Sequence, residues 1–356
     1  MGSERIISGR FGSREYLRFS TCIKIYNEIK MNKLTIAIVS LAAFFLIRPV
    51  AAQKIPSKFE HVEALVTFGP EASPLWGDDD HVQVFFFIVP TFFTKPVYIR
   101  VFDPETVGLD DEASGEWDTK TRFSVFGGLA TYTEPDARKI DPVGNFKSGQ
   151  LLATREFYNE EQYDQSWYSF GPFNPLEGEE VPELGGNVFK VIIEGTSGND
   201  GNLYHFFLST DSKTNMAVEG SNAFTYEYSF RLPLSAKVIT HLYPFADSKV
   251  ESITQYNFDL DLEGEILLYT VAKNRHKAAG SVNTKWAQSN HQLVAEEKNT
   301  TLDLQIVKTR DSRNDMVMYV VNQYGEALPF FSVPVGGPPK YKYKVNVTYK
   351  KTGTSY

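Results

Sequence analysis

Cysteine is all but missing from this chain: its 356 residues contain one, Cys22, close to the N-terminus. Downstream of it there is no thiol for a disulfide, a thiolate metal cage or a cysteine nucleophile. Surplus positive charge is also lacking. Lys and Arg number 36 against 44 Asp and Glu, a net charge of −8, so the basic surface that phosphate backbones require is not supplied and no nucleic-acid partner is expected. Catalytic motifs are lacking as well. The six histidines form no His-Glu-x-x-His pair, and there is no Gly-x-Ser-x-Gly elbow, P-loop, Gly-x-Gly-x-x-Gly turn or EF-hand loop. After Ile47 no apolar run reaches the ~20 residues of a membrane-spanning helix.

One apolar run precedes that point. Met31-Asn32-Lys33 is followed by LTIAIVSLAAFFLI (Leu34 to Ile47), about 14 uncharged residues. Arg48-Pro49 interrupts it, and Val50-Ala51-Ala52 offers small residues for signal peptidase. Positive start, apolar stretch and small-residue site in that order predict a signal peptide over 31–52, with Gln53 opening the mature chain. Residues 1–30 read as an extension ahead of the true start at Met31. Export to the periplasm, cell surface or medium is the expected localisation. With no cysteine at the cleavage point, lipid attachment there is not expected.

Aromatic residues are plentiful, with 27 Phe, 19 Tyr and 4 Trp, as suits pleated sheets and sandwich cores. Alternating or β-branched runs bounded by turn residues predict strands at 82–89, 97–102, 121–126, 187–194, 203–209 and 224–230. The pattern restarts after Pro233, at 237–242, 252–260, 265–272, 301–308, 316–322 and 341–349. Only Leu151 to Tyr168 leaves room for a short helix. The expected fold is all-β: two antiparallel sandwiches, immunoglobulin-like or jelly-roll-like, over 53–232 and 233–356, behind an N-terminal signal helix. The pairs 82–89/97–102 and 187–194/203–209 read as hairpins.

Acidic residues concentrate in two stretches. Asp78, Asp79 and Asp80 enter the first strong strand; Asp103 leaves the next, and Asp110, Asp111 and Glu112 follow in its loop. A hairpin would bring Asp80 and Asp103 to one sheet end. Carboxylates gathered among loops suit Ca²⁺, which takes six to eight oxygens in flexible geometry. Ca²⁺ is therefore the expected cofactor, although Asp is also a common turn residue. The four tryptophans, Trp76, Trp117, Trp167 and Trp286, lie in or beside polar, loop-like stretches and are candidate ligand contacts, for a glycan above all, with Trp76 and Trp117 the leading pair. His205, set among aromatics on a strand, reads as a half-buried structural residue.

The run VYIRVFDPETVGLDDEASGEWDTKTRFSVFGG (Val97 to Gly128) is a strand, an Asp-Pro turn and a strand. It distantly resembles pre-peptidase C-terminal-type domains over about a tenth of the chain. The resemblance implies a secreted bacterial β-sandwich module of the kind that accompanies a catalytic domain. The leader ending in Ala-Ala-Gln and the aromatic sandwiches are similar to exported Bacteroidetes-type proteins. The functional expectation is a non-catalytic binding or scaffolding protein of the envelope or extracellular space, calcium-stabilised, with a glycan or envelope protein as partner. The alternative is a carbohydrate-active enzyme working with two carboxylates.

Overall fold

A computed structural model describes residues 54–74, 81–140, 146–260, 264–282 and 285–342. Among them there is no α-helix, and none long and apolar enough to cross a membrane. The predicted signal peptide, the 1–30 extension and residues 343–349 of the last predicted strand lie outside the described residues.

The first strands are β1 (Lys54–Ile55), β2 (Ala64–Phe68), β3 (Val82–Pro90), β4 (Val97–Phe102), β5 (Lys120–Gly127), β6 (Gln150–Phe157) and β7 (Trp167–Phe173). Then come β8 (Glu179–Val181), β9 (Gly186–Ser197), β10 (Gly201–Ser209), β11 (Asn222–Thr225) and β12 (Glu227–Arg231). The remainder are β13 (Thr240–Leu242), β14 (Phe245–Ala246), β15 (Ser252–Phe258), β16 (Gly264–Tyr269), β17 (His276–Ala278) and β18 (Ala287–Gln292). Last are β19 (Thr300–Thr301), β20 (Asp303–Lys308), β21 (Asp315–Asn322) and β22 (Phe330–Phe331).

All pairings between them are antiparallel, as the all-β expectation requires. A long sheet runs β18-β15-β21-β12-β2-β10-β4-β7, with β1 on β10; a second runs β22-β11-β3-β9-β5-β6, with β8 on β9; a third is β13-β20-β16-β17. β14 and β19 form a small ribbon.

The aromatic content is spent on the space between the first two sheets. Phe206 of β10 meets Phe87 at 5.6 Å, Phe85 at 6.0 Å and Phe123 at 6.1 Å, the first and last edge-on. β3 is buried on both faces, so its sequence is a continuous apolar run rather than an alternation. Phe85, Phe87 and Val89 enter the main core, while Phe86 and Ile88 join a second cluster with Phe224, Tyr226 and Phe331.

Four local expectations are corrected. β3 and β4 are not a hairpin: β3 pairs with β9 and β11, and β4 with β10 and β7. β9 and β10 likewise belong to different sheets. Each pair steps across the core because its two strands both carry apolar residues on the inner face. The 151–168 stretch holds no helix; it is β6, a turn and the start of β7, with Phe157, Tyr163 and Tyr168 packed edge-to-face. The predicted strand 224–230 is divided at Tyr226. β11 lies in the second sheet and β12 in the first.

Hydrogen bonding continues across the expected boundary at 232/233. β12 pairs with β2 on one side and β21 on the other, and β11 pairs with β22. The described residues, 54 to 342, belong to one compact unit.

Strand directions sort the loops of the first half into two ends. At one end β4 leads into the 103–119 loop, β6 turns into β7 through 158–166, and β9 passes to β10 through 198–200. At the opposite end lie the connections 91–96, 128–140 with 146–149, 174–185 and 210–221.

Candidate functional site

The first of these ends is acidic and tightly bonded. Asp103 follows β4 directly, in the left-handed region (φ 57°) that Asp tolerates better than most residues. Its N–H donates to the Ser166 carbonyl (3.0 Å), and its Oδ1 accepts from the Gln165 N–H (2.8 Å). Gln165 is itself left-handed (φ 49°). The 103–112 loop and the 160–166 turn are thereby joined back to back.

The loop is also held to the start of β10. Buried Asp200 accepts from the amides of Ser114 (2.8 Å), Asp118 (2.9 Å) and Thr119 (3.2 Å). The Asn202 side chain donates to the Pro104 carbonyl (2.9 Å), and Asp111 Oδ1 accepts from the Leu203 N–H (2.6 Å). Gly108, at φ 104°, lies flat against the turn: a Cβ there would come within 2.8 Å of Asp164 Oδ1.

Inside this frame carboxylate oxygens of Asp103, Glu105 and Asp164 lie within 4.8 Å of one another. Glu105 is 0% exposed and Asp103 1%. Neither Glu105 oxygen has a hydrogen-bond partner, nor has Asp111 Oδ2. Burial raises the Glu105 carboxyl to about 8, and the charges of Asp103 and Asp164 add to the rise; the nearby Glu160 amide opposes it without meeting bonding geometry. Burial likewise raises Asp103 to about 7, against the Gln165 N–H and together with Asp164 and Asp110. Asp111 is driven well up, first by burial and then by Asp103 and Glu105. Every side chain acting on Glu105 is acidic, so each ionisation makes the next more costly.

The sequence-predicted metal residues divide. Asp103 and Asp111 lie at this cluster. Asp110 is exposed at its rim, with the Gln165 amide 3.4 Å from its Oδ2. Glu112 is turned away to Arg231, which also holds Asp315 at 2.7 Å. Asp78, Asp79 and Asp80 lie outside the described residues. Sequence reasoning missed Glu105 and Asp164. The Asp103-Pro104-Glu105 triplet carried a signal for the first, but Asp164 arrives only through the β6–β7 connection.

Trp76 lies outside the described residues. Trp117 is half-buried, and its carbonyl accepts from the Tyr158 hydroxyl (3.2 Å). Trp167 packs on Phe102 and beneath the Arg100 guanidinium (5.0 Å). Trp286 joins Phe258 and Tyr319, and Tyr319 stacks on Tyr256 at 4.7 Å, so these two rings cover one face of each other. His205 is half-buried and stacked on Phe102; burial lowers it to about 3, which keeps it neutral. Two further histidines meet carboxylates: His241 Nδ1 lies 3.0 Å from Asp303, and His291 Nε2 3.2 Å from Glu297. Neither pair gathers a third metal-type ligand. Asp103, Glu105 and Asp164 are the one such group among the described residues.

The opposite end has another character. Phe92, Leu129, Leu176 and Met216, each from a different loop, are all more than half exposed. The Gly128 N–H bonds the Glu177 carbonyl, which joins the loops that carry Leu129 and Leu176. A groove of about 420 Å³ lies between the 94–96 and 172–177 segments, lined by Thr94, Pro96, Pro172, Phe173, Pro175 and Glu177.

No family model matches this chain, and no curated protein matches it.

Proposed function

We propose that the chain is an exported, non-catalytic binding or scaffolding protein of the envelope or extracellular space, and that its partner is another protein met at the apolar loop end. The observation that carries this reading is the set of large apolar side chains there. Phe92 is 70%, Leu129 86% and Leu176 79% exposed, on three loops of this end, and the loops of Phe92 and Leu176 also line the groove. Single exposed apolar residues are ordinary; several at one end, beside a groove, mark a surface suited to a partner. The rigid double sheet behind them positions the loops.

The carbohydrate-active reading draws no support from the clustered carboxylates. Glu105 and Asp103 are enclosed, which leaves a glycosidic oxygen no approach to them. A glycan face on Trp286 is no better supported, because Tyr256 and Tyr319 stack on each other instead of presenting a flat platform.

The test places a photo-crosslinking residue at Phe92 of the full chain in intact producing cells, with Leu109, exposed at the acidic end, as the control position. A discrete adduct with one protein from position 92, lost in the L129S/L176S variant, is the expected result. Adducts of equal yield from both positions, or none from position 92, overturn the reading. Both leucines are exposed, so the variant is expected to melt with the parent.

A further inference from the structure

We propose that Asp103, Glu105 and Asp164 hold a Ca²⁺ ion that fastens the 103–112 loop to the 160–166 turn. This goes beyond the binding role assigned to the opposite end and does not depend on it.

Clustered acids by themselves are common, and the weight falls on Glu105. A wholly enclosed carboxylate whose two oxygens both lack a donor is costly to bury; removing an unpaired charge from water costs several kcal/mol. Those oxygens face two more carboxylates, and the nearest amide, that of Glu160, does not reach bonding geometry. The frame nevertheless directs all three inward. Asp103 is fixed by Gln165 and Ser166, and Gly108 leaves Asp164 the space that a side chain would take. A divalent cation at the centre reverses the balance, since every repulsion then becomes an attraction and Glu105 gains a partner.

The donor set selects the ion. All the side-chain donors are carboxylate oxygens, without histidine or cysteine, which favours a hard cation over zinc or copper. Oxygens on one Ca²⁺ lie at about 2.3–2.6 Å from it and so up to about 5 Å apart. The separations within 4.8 Å fit that sphere without rearrangement. Mg²⁺ parts with its water reluctantly and binds through one or two carboxylates, so a three-carboxylate site suits it less. Asp111, with Oδ2 unpartnered beside the group, is a fourth acidic side chain next to it.

The test uses the full chain, stripped with EGTA and dialysed, and melted in excess EGTA, in millimolar CaCl₂ and in millimolar MgCl₂. Ca²⁺ is expected to raise the midpoint by roughly 5 °C, as saturation of one site in a chain of this size implies. Mg²⁺ should give a smaller shift. Calorimetric titration should count one ion per chain. The variants E105Q and D164N are expected to melt in EGTA at or above the parent, because each removes an ionisable group from the acidic cluster, and to lose the Ca²⁺ shift. A parent midpoint that is the same in Ca²⁺ and EGTA overturns the proposal, as does a shift that survives in D164N. The half-buried position of Asp164 keeps that variant decisive even where E105Q does not fold.

Discussion

Glu60 shows how much a single buried group contributes. It has no exposed surface and lies in the connection between β1 and β2, where its carbonyl accepts from His241 of the second half (2.8 Å). One carboxylate oxygen accepts the Ser57 N–H (2.5 Å); the other has no bonded partner, the buried Tyr228 hydroxyl near the carboxyl falling short of bonding geometry. Burial raises its pKa to about 7, with the Ser57 N–H pulling the other way. A carboxyl raised above its unfolded value stabilises the fold while protonated. That contribution is complete below about pH 4.5, declines between 4.5 and 7, and is lost above. The shift corresponds to about 3 kcal/mol. Glu60→Gln is therefore expected to gain stability relative to the parent as pH rises from 5 to 8, read as a rising difference in urea midpoints. A difference that stays flat with pH would show that Glu60 is not the titrating group. At this scale the sequence was partly legible. Asp103 and Asp111 stood out by density of charge, while Glu105 and Asp164 did not, since nothing in the chain signals which acids will be enclosed together.

The elements reveal what local pattern captures. β4, β15 and β20 lie close to where alternation placed them, because one face of each is the more deeply buried and a period of two records it. The 151–168 stretch misled because its mix of Leu, Glu, Gln and Arg has good helix propensity; cross-strand pairing of β6 with β5 overrides that preference. Pairing partners were misassigned for the same reason throughout: neighbours in sequence look like hairpins, but β3/β4 and β9/β10 each divide between the two layers. Close approach between the layers depends on glycine. A Cβ on Gly195 of β9 would collide with the Phe68 carbonyl of β2, and both atoms are backbone-anchored. Gly195→Ala is expected to destabilise by at least about 2 kcal/mol in urea unfolding. A loss below half of that would show that the strands can part at this point.

At the level of the whole molecule, the long sheet ties the halves into one body. β12 shares its edges between β2 and β21, and Arg231 at its end joins Asp315 of β21 to Glu112 and the Asp110 carbonyl of the acidic loop. The main core likewise draws on both halves, from Phe206 and Tyr228 to Ile266, Leu304 and Met318. A shared sheet and a shared core cannot be lost from one half without exposing the other. Scanning calorimetry of the full chain is therefore expected to give one endotherm with matching calorimetric and van't Hoff enthalpies. Two resolved transitions, or a stable fragment ending near Leu232, would show that the halves fold separately.

Alternation, aromatic content and turn residues were enough to determine that the chain forms antiparallel sheets, because each strand writes its burial into its own sequence. The sequence did not determine which sheet a strand enters, whether the halves share one, or which acids meet. Those depend on contacts between residues such as Asp103 and Asp164, whose neighbourhood is created when β6 crosses to β7 and closes the end of the sandwich. Such encounters are settled by how the layers stack, and that information is spread over the whole chain instead of residing in any one segment.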